Sequence, residues 1–221
     1  MPEQQQGPSA DRQPASWYFD FVSPFSYLQL AKVRLWREQL DITPLPIVFG
    51  VVLNQVGSIG PAETRGKREF TYRLVQWQAE RAGIVLRFPP AHPFNPLAAL
   101  RLCIAAGSSW ESVEAIFAHF WRDGRAGTTA AELAETGRAL GIGDVGAMIE
   151  AGEVKAALRA NTERALAAGV FGVPTLQIGS DLFWGNDASA MVEEYLADPS
   201  RFAGDEYRRI AQLPVGVERR R

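Results

Sequence analysis

The hydrophobic period of this chain changes along its length, and this change constrains the fold more than any other feature. Residues 17–22 form an apolar run typical of a strand, while residues 24–40 are predicted to form a helix with Leu28, Ala31, Leu35 and Leu40 broadly on one side. Residues 42–49 are apolar and rich in β-branched side chains, which favours a second strand. After residue 169 a period of two returns. Strands are therefore predicted at both ends of the chain.

The middle of the chain, residues 61–166, is dominated by helical spacing. Phe70, Leu74 and Trp77 recur at i, i+4 and i+7, and a second apolar stripe begins at Val113. We expect both stripes to lie in the core. The second stripe continues with Ile116, Phe117, Phe120 and Trp121; further helices are predicted at 130–140, 144–151 and 153–168, and a loop at 50–61.

Two short apolar runs near the carboxyl end, residues 175–178 and 182–184, flank a Gly-Ser-Asp turn and predict a β-hairpin. A helix from Asp187 to about residue 196 follows. A strand–helix–strand opening, a helical block and a strand–strand–helix ending together predict an α/β, thioredoxin-like fold with a large all-helical insertion domain. The predicted segments are a disordered leader (1–16), the thioredoxin-like domain (17–60 and 167–200), the helical insertion (61–166) and a C-terminal tail (201–221).

Composition argues against several classes of function. A formal net charge of -2 gives no electrostatic case for binding nucleic acid or an anionic membrane. No run approaches the roughly 20 apolar residues that span a bilayer, and residues 1–16 lack the apolar core of a signal peptide, so we expect a cytoplasmic protein. The single cysteine, Cys103, lies in an apolar helical run and is expected to be buried and not nucleophilic. Because His92 and His119 lack metal-ligand spacing, no metal site is predicted.

Ser23 lies at the predicted turn between the first strand and the first helix. The unpaired amides and the positive end of the helix dipole favour an anion there, so the serine hydroxyl could hold a thiolate supplied by a bound molecule. The alternative is purely structural, since Ser followed by Pro24 is also a favourable helix start, with Ser as N-cap and Pro at N1. Residues near Ser23 do not decide between the two.

Two distant motifs give Ser23 a context. Taken alone, residues 171–175 (Phe-Gly-Val-Pro-Thr) predict only a turn before a strand, but together with Ser23 they are similar to the cis-proline loop of thioredoxin folds. Such a loop presents the backbone of Val173 to an extended peptide, as an added strand would. Asp187 is either the N-cap of the last helix or a partner for an ammonium group. Glutathione is a thiol peptide with a γ-glutamyl group that carries both an ammonium and a carboxylate.

Three motifs occur here in a characteristic order: Ser-Pro-Phe-Ser-Tyr-Leu after a Phe-Asp-Phe strand, then Phe-Gly-Val-Pro-Thr, then Trp-Gly-Asn-Asp. They resemble those of the 2-hydroxychromene-2-carboxylate isomerase family, which belongs with the kappa-class glutathione transferases in the DsbA-like branch of the thioredoxin superfamily. The resemblance spans roughly residues 17–197. It implies a fold of the DsbA/kappa type and glutathione as cofactor.

The resemblance also implies roles by position. Ser23 matches the catalytic serine, whose hydroxyl holds the glutathione sulfur as a thiolate. Val173 matches the residue that pairs with the cysteinyl part, and Lys67, unless it is simply solvated, pairs with the glycyl carboxylate. Ser58 stands where the family commonly has Asn, and Leu53 or Asn54 where it has Lys. The full implied set is Ser23, Ser58, Lys67, Val173, Pro174, Trp184, Gly185, Asn186 and Asp187 for glutathione, and Asn54, Glu63, Phe94 and Asn95 for the substrate.

The function expected from this resemblance is a glutathione-dependent isomerase that converts 2-hydroxychromene-2-carboxylate to trans-o-hydroxybenzylidenepyruvate by reversible thiolate addition. A kappa-like glutathione transferase that conjugates electrophiles is an alternative that the sequence does not separate from it. A non-catalytic thioredoxin-fold binding module is a third. The expected partners are glutathione and a small aromatic or electrophilic substrate, and relatives suggest a homodimer.

Overall fold

The structure, a computed structural model, describes residues 12–217, and a four-stranded sheet organises this part of the chain. In space the strands follow the order β2-β1-β3-β4, where β1 is Gln13–Phe19, β2 is Leu40–Pro46, β3 is Thr175–Ile178 and β4 is Asp181–Trp184. β1 pairs with β2 in parallel, and the other neighbours are antiparallel. The predicted thioredoxin-like fold and hairpin are confirmed.

Seven of the ten α-helices in the described part of the chain lie between β2 and β3. One helix, α1 (Pro24–Trp36), connects β1 to β2, and two follow β4. The helices between β2 and β3 are α2 (Phe49–Gln55), α3 (Lys67–Ala82), α4 (Leu97–Ala105), α5 (Trp110–Phe117), α6 (Ala130–Ala139), α7 (Val145–Glu150) and α8 (Gly152–Ala167), with a π-helical turn at Ala118–Arg122; α9 (Ser189–Ala197) and α10 (Asp205–Ala211) end the described chain.

β1 is buried on both faces, and this places it at the centre of the fold. Alternate residues of a strand point to opposite faces. Trp17 and Phe19 point to one side, where their rings pack against Phe117 of α5. Tyr18 points to the other side and packs in a second cluster with Leu45. Burying an aromatic side chain of this size contributes about 2–3 kcal/mol, so β1 is tightly fixed between two layers.

The first strand begins and ends earlier than predicted. It was expected at 17–22 but runs over Gln13–Phe19, because the parallel register with β2 starts at the pair Gln13–Leu40. The last four residues of the predicted leader therefore belong to the sheet, while residues 1–11 lie outside the described chain. The loop predicted at 50–61 is also partly wrong, since most of its first half is helix α2, which is followed by a short 3-10 turn at Pro61–Glu63.

The apolar stripe predicted on α3 is wrong, because a different face of the helix is buried. Phe70 and Trp77 are 64% and 52% exposed, whereas Val75 and Ala79 are buried against Leu28 of α1. Both sets have helical spacing, so the spacing alone does not select the buried face. The second predicted stripe, on α5 and the turn after it, is fully buried as expected.

The last long helix before β3 packs on the sheet. In α8, the Arg164 guanidinium donates to Ser16 Oγ at 3.1 Å and the Asn161 amide donates to the Pro46 carbonyl at 3.3 Å. Helix α8, most of which was predicted to belong to the helical insertion, therefore contacts β1 and β2, and the domain boundary at 166 stays a prediction. The predicted tail contains α10, and its terminal arginines lie outside the described residues. No helix within residues 12–217 is long and apolar enough to cross a membrane.

Candidate functional site

Ser23 caps the first helix. Its Oγ accepts a hydrogen bond from the Ser26 backbone N–H at 3.2 Å, and Pro24 occupies the first helical position. The N-cap prediction is thus confirmed. A serine hydroxyl can accept two hydrogen bonds and donate one, so accepting from Ser26 leaves its own proton available. Ser23 is only 6% exposed and lies at the positive end of a 13-residue helix, which favours an anion beside it.

Asp20 organises the turn that carries Ser23. Its two carboxylate oxygens accept from the backbone N–H groups of Val22 and Phe49, each at 3.0 Å, and its backbone carbonyl accepts from the Ser23 N–H, also at 3.0 Å. Complete burial raises the pKa of this carboxyl to about 7, although the two backbone donors oppose the rise. The sequence carried a signal for this residue, since Asp20 interrupts an apolar run.

The cis-proline loop lies beside this turn. The Val173–Pro174 peptide bond is cis, as predicted. Tyr18 of β1 pairs with Thr175 of β3 in antiparallel register, and continuing that register places Asp20 opposite Val173. Among the described residues, neither the N–H nor the C=O of Val173 has a hydrogen-bond partner. The loop therefore offers one unpaired backbone donor and one unpaired acceptor.

Gln29 connects α1 to the loop that follows β4. Its side-chain amide donates to the Gly185 carbonyl at 2.9 Å, and its carbonyl oxygen accepts from the Trp17 indole N–H at 2.8 Å. The Gly185 N–H in turn donates to the Pro174 carbonyl at 2.8 Å. This chain of hydrogen bonds joins helix α1, the cis-proline loop and the Trp184–Asp187 segment. The sequence analysis missed Gln29, although a glutamine between Leu28 and Leu30 is a visible signal.

Trp184 lies directly over the cis-proline loop. A Cβ atom placed on Gly172 would approach the indole nitrogen of Trp184 to 2.3 Å, so only glycine fits beneath the ring. The Phe171 ring contacts the indole edge-on, with ring centroids 5.0 Å apart. The indole remains 53% exposed and forms a wall at the edge of the site.

Asp187 does not cap the last helix, which corrects one of the two predicted roles. α9 begins at Ser189 after a 3-10 turn at Asn186–Ala188, and no side chain caps it. The Asp187 carboxylate instead accepts from the Gln78 amide of α3 at 3.3 Å, and Asn186 donates to Gln78 Oε1 at 3.3 Å. Nothing in the sequence linked Gln78 to this loop. Asp187 remains exposed and carries a negative charge next to the site.

The remaining predicted residues lie in the part of the chain that runs from α2 to the start of α4. Asn54, Ser58, Glu63 and Lys67 are all exposed, and within residues 12–217 Lys67 forms no ion pair. Phe94 stacks on Phe120 at 4.5 Å, and Asn95 Oδ1 accepts from the Leu97 N–H at 3.1 Å, at the start of α4; Glu63 Oε1 accepts from the Gly60 N–H at 2.8 Å. Hydrogen bonds connect none of these residues to the Ser23 turn.

Cys103 is buried in α4, and burial raises the pKa of its thiol to about 12. We expect iodoacetamide at about pH 8 to leave the native protein unmodified, because almost no thiolate forms there. The urea-unfolded chain should take up one adduct. Intact-mass spectrometry of both samples measures this, and an adduct on the native protein would contradict the prediction.

Comparison with known proteins places these features in context. Residues 16–197 match the model of the DSBA-like thioredoxin domain. A 2-hydroxychromene-2-carboxylate isomerase from Pseudomonas sp. (strain C18) is 32% identical over 187 residues, which cover 80% of this chain and 87% of the relative. Glutathione S-transferase kappa 2 of Caenorhabditis elegans is 24% identical over 212 residues, covering 86% and 94%. A solved structure of 2-hydroxychromene-2-carboxylate isomerase superposes with a TM-score of 0.74 at 25% identity, covering 87% of this chain and 98% of that one.

Proposed function

Since this chain belongs to the 2-hydroxychromene-2-carboxylate isomerase family and carries its DsbA-like thioredoxin domain, we propose that it is a glutathione-dependent isomerase. The proposed reaction interconverts 2-hydroxychromene-2-carboxylate and trans-o-hydroxybenzylidenepyruvate. The observation that carries the proposal is the meeting of the Ser23 hydroxyl, the unpaired backbone of Val173 and the Trp184–Asp187 loop at one end of the sheet.

A peptide thiol suits the residues at this end of the sheet. The unpaired N–H and C=O of Val173 match the backbone of an extended peptide, which would add to the loop as a strand does. The exposed carboxylate of Asp187 suits the ammonium of a γ-glutamyl group. Lys67, exposed at the start of α3, supplies an opposite charge for the glycyl carboxylate. The Trp184 ring closes one side of the site.

Glutathione, when bound, would supply a thiolate for reversible addition to a conjugated carbon of the ring-opened aromatic keto acid, which would turn a double bond into a single bond that can rotate until the sulfur leaves. Ser23 stabilises the ionised sulfur by donating its hydroxyl proton in a hydrogen bond, and the α1 dipole acts in the same direction. A free thiol ionises near pH 8.5. Lowering that pKa raises the fraction of nucleophile at neutral pH.

The substrate side of the site rests on fewer contacts. We propose that Asn54, Glu63, Phe94 and Asn95 face the aromatic keto acid. Phe94 offers an aromatic surface already aligned by Phe120, and the Asn95 amide N–H₂ is free to donate because only its carbonyl oxygen serves the start of α4. Ser58 replaces the Asn common in the family, so its shorter side chain reaches less far toward glutathione.

The experiment measures isomerisation with and without glutathione. We expect conversion of 2-hydroxychromene-2-carboxylate at millimolar glutathione, with the glutathione recovered unchanged, and only the uncatalysed rate without it. Product mass spectrometry decides the outcome: a stable adduct would replace the isomerase by a transferase, a class that the kappa relative represents. If calorimetry detects no binding of glutathione, both the isomerase and the transferase assignments fail, and the protein is a non-catalytic binding module.

Two further parts of the proposal concern the cellular location and the oligomeric state of the enzyme. We propose that it works in the cytoplasm, where glutathione is reduced and the lone Cys103 stays a thiol. We also propose a homodimer, as the family resemblance suggests. Fractionation of cells and the mass measured by light scattering test the two statements separately.

A further inference from the structure

The peptide unit between Val22 and Ser23 is held at both ends. Its N–H, on Ser23, donates to the Asp20 carbonyl at 3.0 Å. Its C=O, on Val22, lies 2.8 Å from Nε2 of His92, in the proline-rich segment before α4. His92 is 70 residues from Val22 in sequence. A residue of the helical insertion therefore fixes the peptide unit that leads into the helix cap.

The hydrogen bonds of His92 define its tautomer. A carbonyl oxygen can only accept, so Nε2 carries the hydrogen that bonds Val22. In the neutral ring Nδ1 is then an acceptor, and the Tyr72 hydroxyl lies 2.8 Å from both Nδ1 and the His92 backbone carbonyl, two acceptors for its single proton. Burial lowers the pKa of His92 and outweighs the hydrogen bond to Val22, which raises it, while the Arg68 charge lowers it further, so the neutral form prevails at pH 7. Because both nitrogens are engaged, His92 is a hydrogen-bond donor to the turn and not an acid or base for substrate.

A neighbouring side chain reinforces the same turn. The Trp121 indole N–H donates to the Phe21 carbonyl at 2.8 Å, and the Trp121 ring packs edge-on against His92 with centroids 5.4 Å apart. Two successive carbonyls just before Ser23 thus receive donors from the helical insertion. Trp121 is fully buried in the aromatic core, whereas His92 is only partly buried and contacts that core through the Trp121 and Phe94 rings.

We propose that His92 is a positioning residue for Ser23: it orients the Val22–Ser23 peptide unit, and thereby aims the Ser23 hydroxyl at the sulfur. This inference rests on the proposed function of Ser23. The Ser23 side chain leaves the backbone directly after this peptide unit, at φ -89° and ψ 112°. If the Val22 carbonyl rotates, the direction of the hydroxyl changes with it. Tyr72 contributes by holding His92 in place, since its hydroxyl contacts both the His92 ring and the His92 backbone carbonyl.

The test compares His92→Phe with His92→Gln. Phenylalanine keeps an aromatic ring before Pro93 but removes the donor, while the glutamine amide can donate from nearly the position of Nε2. The ultraviolet absorbance of the thiolate, followed with pH, reports the pKa of glutathione bound to each variant. We expect His92→Phe to raise that pKa toward the free value of about 8.5 and to lower kcat about tenfold with little change in KM. His92→Gln should restore both, and Tyr72→Phe should lie between.

A second measurement needs no glutathione. Hydrogen exchange of the Ser23 amide should be about tenfold faster in His92→Phe than in wild type or His92→Gln, because the peptide unit has lost one of its two anchors. If exchange and thiol pKa stay at wild-type values in His92→Phe, the positioning role is wrong. If wild type itself fails to lower the thiol pKa while exchange still responds to His92→Phe, the proposed function fails and the anchoring of the turn stands.

Discussion

Replacing Ser23 with alanine is expected to lower turnover about 100-fold while the protein remains folded. One hydroxyl donor directed at an anion contributes roughly as much as one donor of an oxyanion hole, whose removal costs a factor of about 100 to 1,000. The loss should appear in kcat, and the pKa of the bound thiol should rise, since the thiolate loses its hydrogen bond. The same change removes the N-cap of α1, which costs about 1 kcal/mol of stability.

Two further variants separate the cap from the chemistry. Ser23→Asp keeps a cap acceptor for the Ser26 N–H but places an anion beside the thiolate, so it should retain stability and lose activity at least as severely as alanine. Ser23→Thr keeps both the acceptor and the hydroxyl and should retain most of the activity. Turnover, thiol pKa and urea midpoint are measured on all three. Wild-type turnover and thiol pKa in Ser23→Ala would remove this residue from the mechanism.

The parts of the site that sequence predicted are those formed by short motifs. Ser23 with Pro24 is a local cap, and the hairpin after Val173–Pro174 has a strong period of two. Each motif was ambiguous alone, and their order along the chain resolved the ambiguity. The sheet explains why: β1 and β3 are hydrogen-bonded neighbours, so the turn after one and the loop before the other meet at the same edge.

The residues that sequence did not predict act through partners far along the chain. Gln29 and Gly185 are 156 residues apart, and Gln78 and Asp187 are 109 apart. A polar side chain reveals no such partner in its own neighbourhood. The prediction of the buried face of α3 failed for a related reason. The spacing of Phe70 and Trp77 fits an apolar helix face, and only the packing against the partner helix selects which face is buried.

Asp20 is the residue whose signal was present and unused. An aspartate between two phenylalanines at the end of an apolar run is a candidate for burial, and a buried carboxyl needs donors. Here the donors are the backbone N–H groups of Val22 and Phe49. One of them belongs to the turn that leads to Ser23, and the other begins α2. The side chain therefore links the site to the first helix after β2.

The free energy of unfolding should carry an Asp20 contribution that falls as pH rises from about 4 to 8. The unfolded carboxyl ionises near 3.8, whereas the folded one keeps its proton to about pH 7. Between these values the folded protein binds more protons than the unfolded chain, so raising the pH favours unfolding. The difference between the two pKa values corresponds to about 4 kcal/mol. Burial lowers the pKa of both His92 and His119, so below about pH 6.5 these two residues make the free energy of unfolding rise with pH. A variant is therefore needed to isolate the Asp20 contribution.

Asp20→Asn provides that variant, and urea unfolding at each pH provides the measurement. Asparagine accepts through one atom only, so one backbone N–H loses its partner and the variant should be about 1–3 kcal/mol less stable than wild type at pH 4. As pH rises, the Asp20 carboxyl ionises in the unfolded wild-type chain but keeps its proton in the folded protein up to about pH 7, so this gap should close and then reverse by pH 8, whereas the amide of the variant does not titrate. Asp41→Asn, which removes an exposed aspartate from β2, controls for net charge. A wild-type-to-variant gap that stays constant across this range would mean that the Asp20 carboxyl ionises in the folded protein as it does in water.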